Sequence, residues 1–259
     1  MRILIPTLAI LTLVACVREE KGSTGVSVTT SDQGFSQTNE DGDTLGLITR
    51  PSGVLMTHNP NYRLTPIYKL KYHKRGDNYY IGSTRFHTNY SSYSRLEENQ
   101  WNNNFMPGFA AAYGEDMLNL SHYDVEQKRE KLFFEELVLI KTVYYPSYST
   151  DTLNSEAVSR GYYMISVYDE DTNEDGYINW KDLRRLYHFD QTEVTGTPLI
   201  PKEYAVLSSE YDPGNDFMYV YARKDENENG QSELEEPISV WWIDLKDPQR
   251  TGFLYGWGR

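Results

Sequence analysis

Residues 162–190 read YYMISVYDEDTNEDGYINWKDLRRLYHFD, which is an apolar run, an acidic loop and a second apolar run. The loop places oxygen-bearing side chains at positions 1, 3, 5, 9 and 12, counted from Asp171 to Asp182. Short Asp and Asn side chains on alternate residues can converge on one point, and Gly176 at position 6 permits the sharp turn that this requires. The stretch therefore predicts two strands joined by a cation-binding loop.

A second stretch, residues 216–244, reads DFMYVYARKDENENGQSELEEPISVWWID and has the same order of parts. Its loop begins at Asp225, 54 residues after Asp171, and a weaker copy without a loop ends at Asp124. The positions that match at this offset are Met164 with Met218, Asn173 with Asn227, Gly176 with Gly230, Asp182 with Glu236, and residues 186–190 with 240–244. Each unit ends in an apolar strand and an aspartate, which we expect to cap the following turn through its side chain.

Both loops resemble EF-hand calcium loops, and this resemblance implies calcium (Ca2+) as the bound ion. In the first loop it implies these ligands: Asp171, Asn173, Asp175, the carbonyl of Tyr177, Asn179 and Asp182. In the second loop it implies these ligands: Asp225, Asn227, Asn229, the carbonyl of Gln231, Glu233 and Glu236. Asp182 is shorter than the usual closing glutamate. We therefore expect either that it binds the ion through one oxygen or that the backbone lies closer to the ion. Neutral Asn229 at position 5 predicts that the second site is the weaker one.

The fold class predicted for residues 47–259 is all-β. The 22 tyrosines favour strands, and short apolar runs alternate with turn residues. The units resemble strand–calcium loop–strand units in bacterial propeller repeats of the TolB-like type, and a group of uncharacterised bacterial lipoproteins that carry such loops. The resemblance implies blade-like antiparallel repeats in a partial or small β-propeller. About 200 ordered residues give few blades for a closed ring, so a β-sandwich remains the alternative.

The N-terminus has the pattern of a lipoprotein signal peptide. Arg2 precedes an apolar run from Ile3 to Val14 that is too short to cross a bilayer. The sequence Leu-Val-Ala-Cys ending at Cys16 resembles the lipobox of bacterial lipoproteins, in which the cysteine becomes the lipidated N-terminus. We therefore expect residues 1–15 to be the signal peptide and residues 16–46 a lipidated flexible tether rich in polar residues. The residue after the cysteine is Val17, which favours the outer membrane of the cell envelope.

The net charge and the motifs of the sequence limit the classes of partner and of activity that we expect. The formal net charge of −13 disfavours binding to nucleic acid and to anionic membrane surfaces. Contact with the membrane is therefore expected through lipid on Cys16. The sequence contains no nucleophile, metalloprotease, phosphate-loop or dinucleotide motif, and we assign no catalytic residue. The first functional hypothesis is a non-enzymatic, calcium-binding envelope lipoprotein that binds or scaffolds a protein or glycan. The alternative is an envelope or extracellular hydrolase whose active site the motifs do not identify.

Overall fold

The computed structural model describes residues 49–69, 106–136 and 138–256, together with short strands at 26–27, 30–31, 34–38, 44–46, 72–75, 78–81 and 86–88. The signal peptide and Cys16 lie outside these residues, so their predicted roles remain predictions. No described residue belongs to a helix.

All regular elements of the described chain are β-strands. The strands of the N-terminal part are β1 Val26–Ser27, β2 Thr30–Ser31, β3 Gly34–Thr38, β4 Thr44–Gly46, β5 Thr49–Pro51, β6 Leu55–Met56, β7 Tyr62–Lys69, β8 Tyr72–Arg75, β9 Asn78–Ile81 and β10 Phe86–Thr88. The central strands are β11 Phe109–Asp124, β12 Arg129–Leu132, β13 Leu139–Pro146, β14 Asp151–Leu153, β15 Glu156–Val158, β16 Tyr162–Tyr168, β17 Tyr177–Ile178, β18 Arg185–Asp190 and β19 Gly196–Pro198. The last four are β20 Tyr204–Asp212, β21 Phe217–Lys224, β22 Ile238–Asp244 and β23 Thr251–Gly256.

The larger sheet is an antiparallel meander in the order β5-β7-β11-β13-β16-β18-β19. Strand β16 shows why the sheet lies in the interior, because its residues alternate between two cores. Tyr163, Ile165 and Val167 enter one apolar cluster, and Tyr162 and Met164 enter the other. A strand that is buried on both faces needs a continuous apolar run, which is what the sequence supplies here.

The smaller sheet is a four-stranded antiparallel meander in the order β20-β21-β22-β23. It packs on the face of the larger sheet that carries Met164 and Leu186, and it contributes Met218, Val220 and Ile243 to their shared core. Two antiparallel sheets thus bury one common apolar layer, as β-sheets must to remove their apolar faces from water.

These observations confirm the all-β class. The four-stranded meander has the topology of a blade, and its packing against the larger sheet is that of a sandwich. The described residues form no closed ring of blades. The predicted hairpin turn after Asp124 is also present, between β11 and β12.

Each of the two repeat units that carry a loop is a hairpin whose connection is that acidic loop. Strands β16 and β18 flank the first loop, and β21 and β22 flank the second. The registers differ by one residue: Met164 lies opposite His188, whereas Met218 lies opposite Ile243. The exit strands therefore align at an offset of 55, one more than the offset predicted from sequence. As a result Trp241 faces the shared core, and Trp242 stacks on Phe217.

The three aspartates that end the units cap their turns as predicted. The side chain of Asp124 accepts the backbone N–H of Glu126 at 2.9 Å, and that of Asp190 accepts the N–H of Thr192 at 2.7 Å. Asp244 accepts the N–H of Lys246 at 3.0 Å. This shared cap explains why the aspartate recurs after each apolar strand.

The predicted flexible tether, residues 16–46, contains four short strands, β1 to β4, and β2, β3 and β4 form a small sheet of their own. Strand β1 pairs antiparallel with β17 inside the first acidic loop, with Val26 opposite Ile178. The Val26 side chain is buried, which differs from the expectation of a freely solvated segment. The physical reason is that β17 would otherwise present unpaired backbone groups, and a short extended segment satisfies them.

A buried ion pair joins the two sheets at the start of β16. The Arg160 guanidinium donates two hydrogen bonds to Asp216, of 2.9 and 2.7 Å, and a third to the carbonyl of Leu245 at 2.7 Å. Asp216 and Leu245 belong to turns of the smaller sheet, and both charged side chains are almost completely buried. Removal of one partner would leave the other charge without compensation.

We predict that Asp216→Ala lowers the free energy of unfolding by about 3–5 kcal/mol, because Arg160 then remains buried without its partner. Urea denaturation measures the change. The control is Lys202→Gln, which breaks the exposed pair with Glu170 and should cost about 0–1 kcal/mol. Equal, small effects of the two variants would contradict a role for the buried pair in holding the sheets together.

Candidate metal centre

The first aspartate of the first loop organises the turn that follows it. The Asp171 carboxylate accepts the backbone N–H of Asp175 at 3.1 Å and that of Gly176 at 2.8 Å. Gly176 has a φ of +87°, and Glu174 has a φ of +57°. The chain therefore coils around the Asp171 side chain, and the glycine occupies the left-handed position for which it was predicted.

The second loop repeats this geometry at the predicted offset. The Asp225 carboxylate accepts the N–H of Asn229 at 3.1 Å and that of Gly230 at 2.8 Å. The φ values are +56° at Glu228 and +72° at Gly230. The sequence repeat is thus also a repeat of backbone conformation.

The closing residues also take equivalent positions. In the first loop, Asp182 accepts the N–H of Thr172 at 2.9 Å and that of Asn179 at 2.7 Å. In the second loop, Glu236 accepts the N–H groups of the corresponding residues, Glu226 at 2.9 Å and Glu233 at 3.0 Å. The shorter Asp182 therefore reaches the same two loop positions as the longer glutamate.

Other predicted ligands approach one another across the loops. In the second loop, the Asn227 amide donates to the Glu233 carboxylate at 2.8 Å, which joins positions 3 and 9. In the first loop, the Asn179 amide donates to the Tyr177 carbonyl at 3.3 Å, which joins positions 9 and 7. Three further predicted ligands hold the turn itself. Asn173 accepts the backbone N–H of Asp175, Asp175 accepts that of Tyr177, and Asn229 accepts that of Gln231.

Three of the loop carboxylates are buried. The exposed fraction is 2% for Asp182, 8% for Asp225 and 9% for Glu236. None of them forms an ion pair within the described part of the chain, and burial raises the pKa of Asp182. A buried carboxylate is costly unless it is compensated, so these groups call for a positive partner.

Among the residues that the structure describes, no group of three or more His, Cys, Asp and Glu side chains lies close enough to hold a metal ion. The predicted ligand sets also use Asn amides and a backbone carbonyl. All of their donors are oxygens, which suit a hard cation such as calcium and not a soft metal. The donor chemistry therefore fits calcium, while the acidic side chains by themselves do not form a closed cage in this structure.

The two loops touch each other, which the sequence spacing did not predict. The Thr172 hydroxyl of the first loop donates to the Gly230 carbonyl of the second at 2.6 Å. A Cβ at Gly230 would collide with the Thr172 carbonyl, whereas a Cβ at Gly176 would meet nothing within 4 Å. Gly230 thus serves both the turn and the contact between loops.

Two histidines that fall at similar points of the repeat are packing residues. His122 lies against Tyr62 and Tyr163, and His188 lies against Tyr162. Burial lowers the pKa of both imidazoles, which favours their neutral forms. Both side chains therefore contribute to aromatic packing within the sheets.

A cleft of about 750 Å³ lies at the end of β16 that is remote from the loops, and it is lined by His188, Asp190 and Asp216 among others. Two of its acidic groups are engaged in structural contacts. Asp216 is bound by Arg160, and Asp190 caps the turn after β18. The cleft therefore belongs to the structural connection between the sheets.

No protein-family model matches this chain, and no curated protein matches it significantly. None of the described residues forms a helix that is long and apolar enough to cross a membrane.

We predict different costs for alanine at the two loop glycines. Gly176→Ala should lower the free energy of unfolding by about 1–2 kcal/mol, because a left-handed conformation is unfavourable for a residue with a side chain. Gly230→Ala should cost more than about 3 kcal/mol, because the added methyl also forces the loops apart. Urea unfolding of both variants gives the comparison, and equal losses would show that the loops are not in contact.

Proposed function

We propose that the protein is a lipid-anchored, calcium-binding protein of the bacterial cell envelope that acts as a non-enzymatic binding or scaffold module. The observation that carries the proposal is the equivalence of the two loops. Each coils around its first aspartate, and each closes with a carboxylate that binds the N–H groups of loop positions 2 and 9. Two independent stretches of sequence thus adopt one conformation suited to an oxygen-ligated cation.

Electrostatics supports calcium at the loops. Residues 171–182 and 225–236 contain ten acidic side chains and one basic side chain, giving −9 of the total net charge of −13. The loops are in contact through Thr172 and Gly230, so this charge is concentrated in one region. Each pair of like charges 4 Å apart costs about 1–4 kcal/mol at the dielectric values of a protein surface. Divalent cations would offset this repulsion.

The proposed role of the ions is structural. Calcium sites in extracellular modules need dissociation constants of only about 10⁻⁴–10⁻³ M, since the ion is plentiful there. Sites of this kind stay filled, so a sensing role is not expected. The loops connect strands of both sheets, and β1 pairs with the first loop. Bound ions would hold these three parts together in a chain whose single cysteine excludes internal disulfides.

The short distance between Cys16 and β1 supports a membrane-proximal position for the loops. Val26 lies ten positions after Cys16, and an extended chain of ten steps spans at most about 36 Å. A lipid on Cys16 and the pairing of β1 with β17 would hold the loop end of the domain within that distance of the membrane. The opposite end would then face the envelope space and its protein or glycan partners.

We predict that calcium raises the melting temperature of the full-length protein, held in detergent micelles, relative to the same sample in chelator. At a tenfold excess over the dissociation constant, the rise should be about 3–6 °C for each occupied site. Differential scanning calorimetry measures the shift.

Isosteric variants separate the two sites. Asp182→Asn should remove the contribution of the first loop, and Glu236→Gln the smaller contribution of the second. Glu235→Gln removes the same charge from a position outside the ligand set and should leave the shift intact. The calcium proposal fails if the wild-type shift is absent, or if the three variants behave alike.

We predict that Cys16→Ser releases the protein from membranes, because the thiol that accepts the lipid is lost and stable anchoring needs more than one acyl chain. Fractionation of cells into membrane and soluble material tests this. Persistence of the variant in the membrane fraction would refute the lipobox interpretation.

A further inference from the structure

A cleft of about 860 Å³ opens where the two loops meet the sheets. Its walls are formed by the bulged part of β11, the start of β13, the first loop, the second loop and strand β20. The buried side chains of Ile140, Ala205 and Val206 form part of its floor. Cavities that hold small molecules have volumes of about 300–1,000 Å³, so the size suits a small ligand or one end of a chain.

One wall of the cleft carries an exposed tryptophan. Trp180 stands at position 10 of the first loop, and 68% of its surface is exposed. Leu234 occupies the same position of the second loop and is 85% exposed, but it does not line the cleft. An accessible indole beside this cleft offers a flat apolar face and an N–H donor, a combination that suits the apolar face of a pyranose ring.

The cleft is rich in cations although the protein is acidic. Lys141, Lys181 and Arg184 line it, against two acids, whereas the whole chain has 25 basic and 38 acidic residues. One of the two acids, Asp182, uses both carboxylate oxygens within the first loop. Three basic groups therefore line the cleft against two acidic ones, and one of the three, Lys181, also pairs with the Asp175 carboxylate at 3.7 Å.

Arg184 is held rigidly at the edge of the cleft. Its Nε donates to the Val206 carbonyl at 2.7 Å, and its Nη2 donates to the Leu207 carbonyl. Its side chain is buried, and its own carbonyl accepts the N–H of Val206 at 2.8 Å. These bonds fix the guanidinium between the sheets, and a fixed cation loses little freedom when a ligand binds.

We propose that this cleft binds an anionic saccharide, with a sugar ring stacked on Trp180 and a carboxylate or sulfate directed to Lys141, Lys181 and Arg184. Gln231 and Ser232 of the second loop supply polar groups for hydroxyls. The inference rests on the proposed calcium role, because the first loop has a net side-chain charge of −3 that a divalent ion reduces to −1. Binding therefore depends on calcium: without it, the loop repels the anion.

Isothermal titration calorimetry of the full-length, micelle-held protein tests the inference. The probe is a tetrasaccharide of alternating glucuronic acid and N-acetylglucosamine, and the control sugar is the same molecule with its carboxyls reduced to alcohols. A sulfated tetrasaccharide distinguishes sulfate from carboxylate as the preferred anion. We expect binding of at least one anionic probe in calcium and a loss of at least about tenfold in affinity with the neutral control or in chelator.

Matched variants locate the site. Trp180→Ala should weaken binding about tenfold, and Lys181→Gln should weaken it and reduce its dependence on salt. Leu234→Ala, at the equivalent position of the other loop, and Lys246→Gln, in the remote cleft, should leave the affinity within about twofold. Equal losses from Trp180→Ala and Leu234→Ala would overturn the assignment of the site.

Calorimetric melting of the same samples keeps the two proposals separate. If calcium raises the melting temperature but no anionic probe binds, the saccharide inference is wrong and the calcium proposal stands. If an acidic hexapeptide binds and the saccharides do not, the ligand class is wrong. If the anionic probes bind equally well in calcium and in chelator, and calcium does not shift the melting temperature, then both the calcium dependence of binding and the structural role of calcium are wrong.

Discussion

The contact between two acidic loops is the constraint on which the rest of this structure depends. Thr172 donates to the Gly230 carbonyl, and Gly230 has no side chain because none would fit there. This contact brings together loops with a combined side-chain charge of −9. Each loop satisfies many of its own carboxylates with backbone N–H groups, which removes part of the cost of burial. In the proposed function a divalent cation supplies the positive charge, and the oxygen donors of the loops suit a hard cation.

The loops and the buried ion pair act at opposite ends of the same two strands. Strand β16 begins two residues after Arg160 and leads to the first loop, and β21 begins directly after Asp216 and leads to the second. Between these ends lies the apolar layer shared by the two sheets. The sheets are therefore joined by a charged contact at one end, by apolar burial in the middle and by the acidic loops at the other end. Such a division explains how a chain without internal disulfides can hold two sheets in fixed alignment.

The features on which the proposed function and the proposed ligand site rest all lie at the loop end. Strand β1, which follows Cys16 closely in sequence, pairs with the first loop, and the cation-lined cleft opens between both loops. In the proposed arrangement, one set of ions stabilises the sheets, fixes the segment next to the lipid and reduces the negative field at the cleft. Ion binding, anchoring and ligand binding would then share one electrostatic requirement.

The sequence by itself determined the local features, because these depend on residues close together in the chain. Alternation of apolar runs and turns identified the all-β class, the spacing of Asp, Asn and Gly identified both loops, and the recurring aspartates identified the turn caps. Only the tertiary structure decided what depends on distant contacts. The contact of Thr172 with Gly230, the pairing of β1 with β17, the one-residue shift of β22 and the cleft beside Trp180 each join segments far apart in sequence. A local sequence pattern specifies a local conformation. Which distant segment lies beside it is determined by tertiary packing, and the spacing of residues along the chain does not encode this.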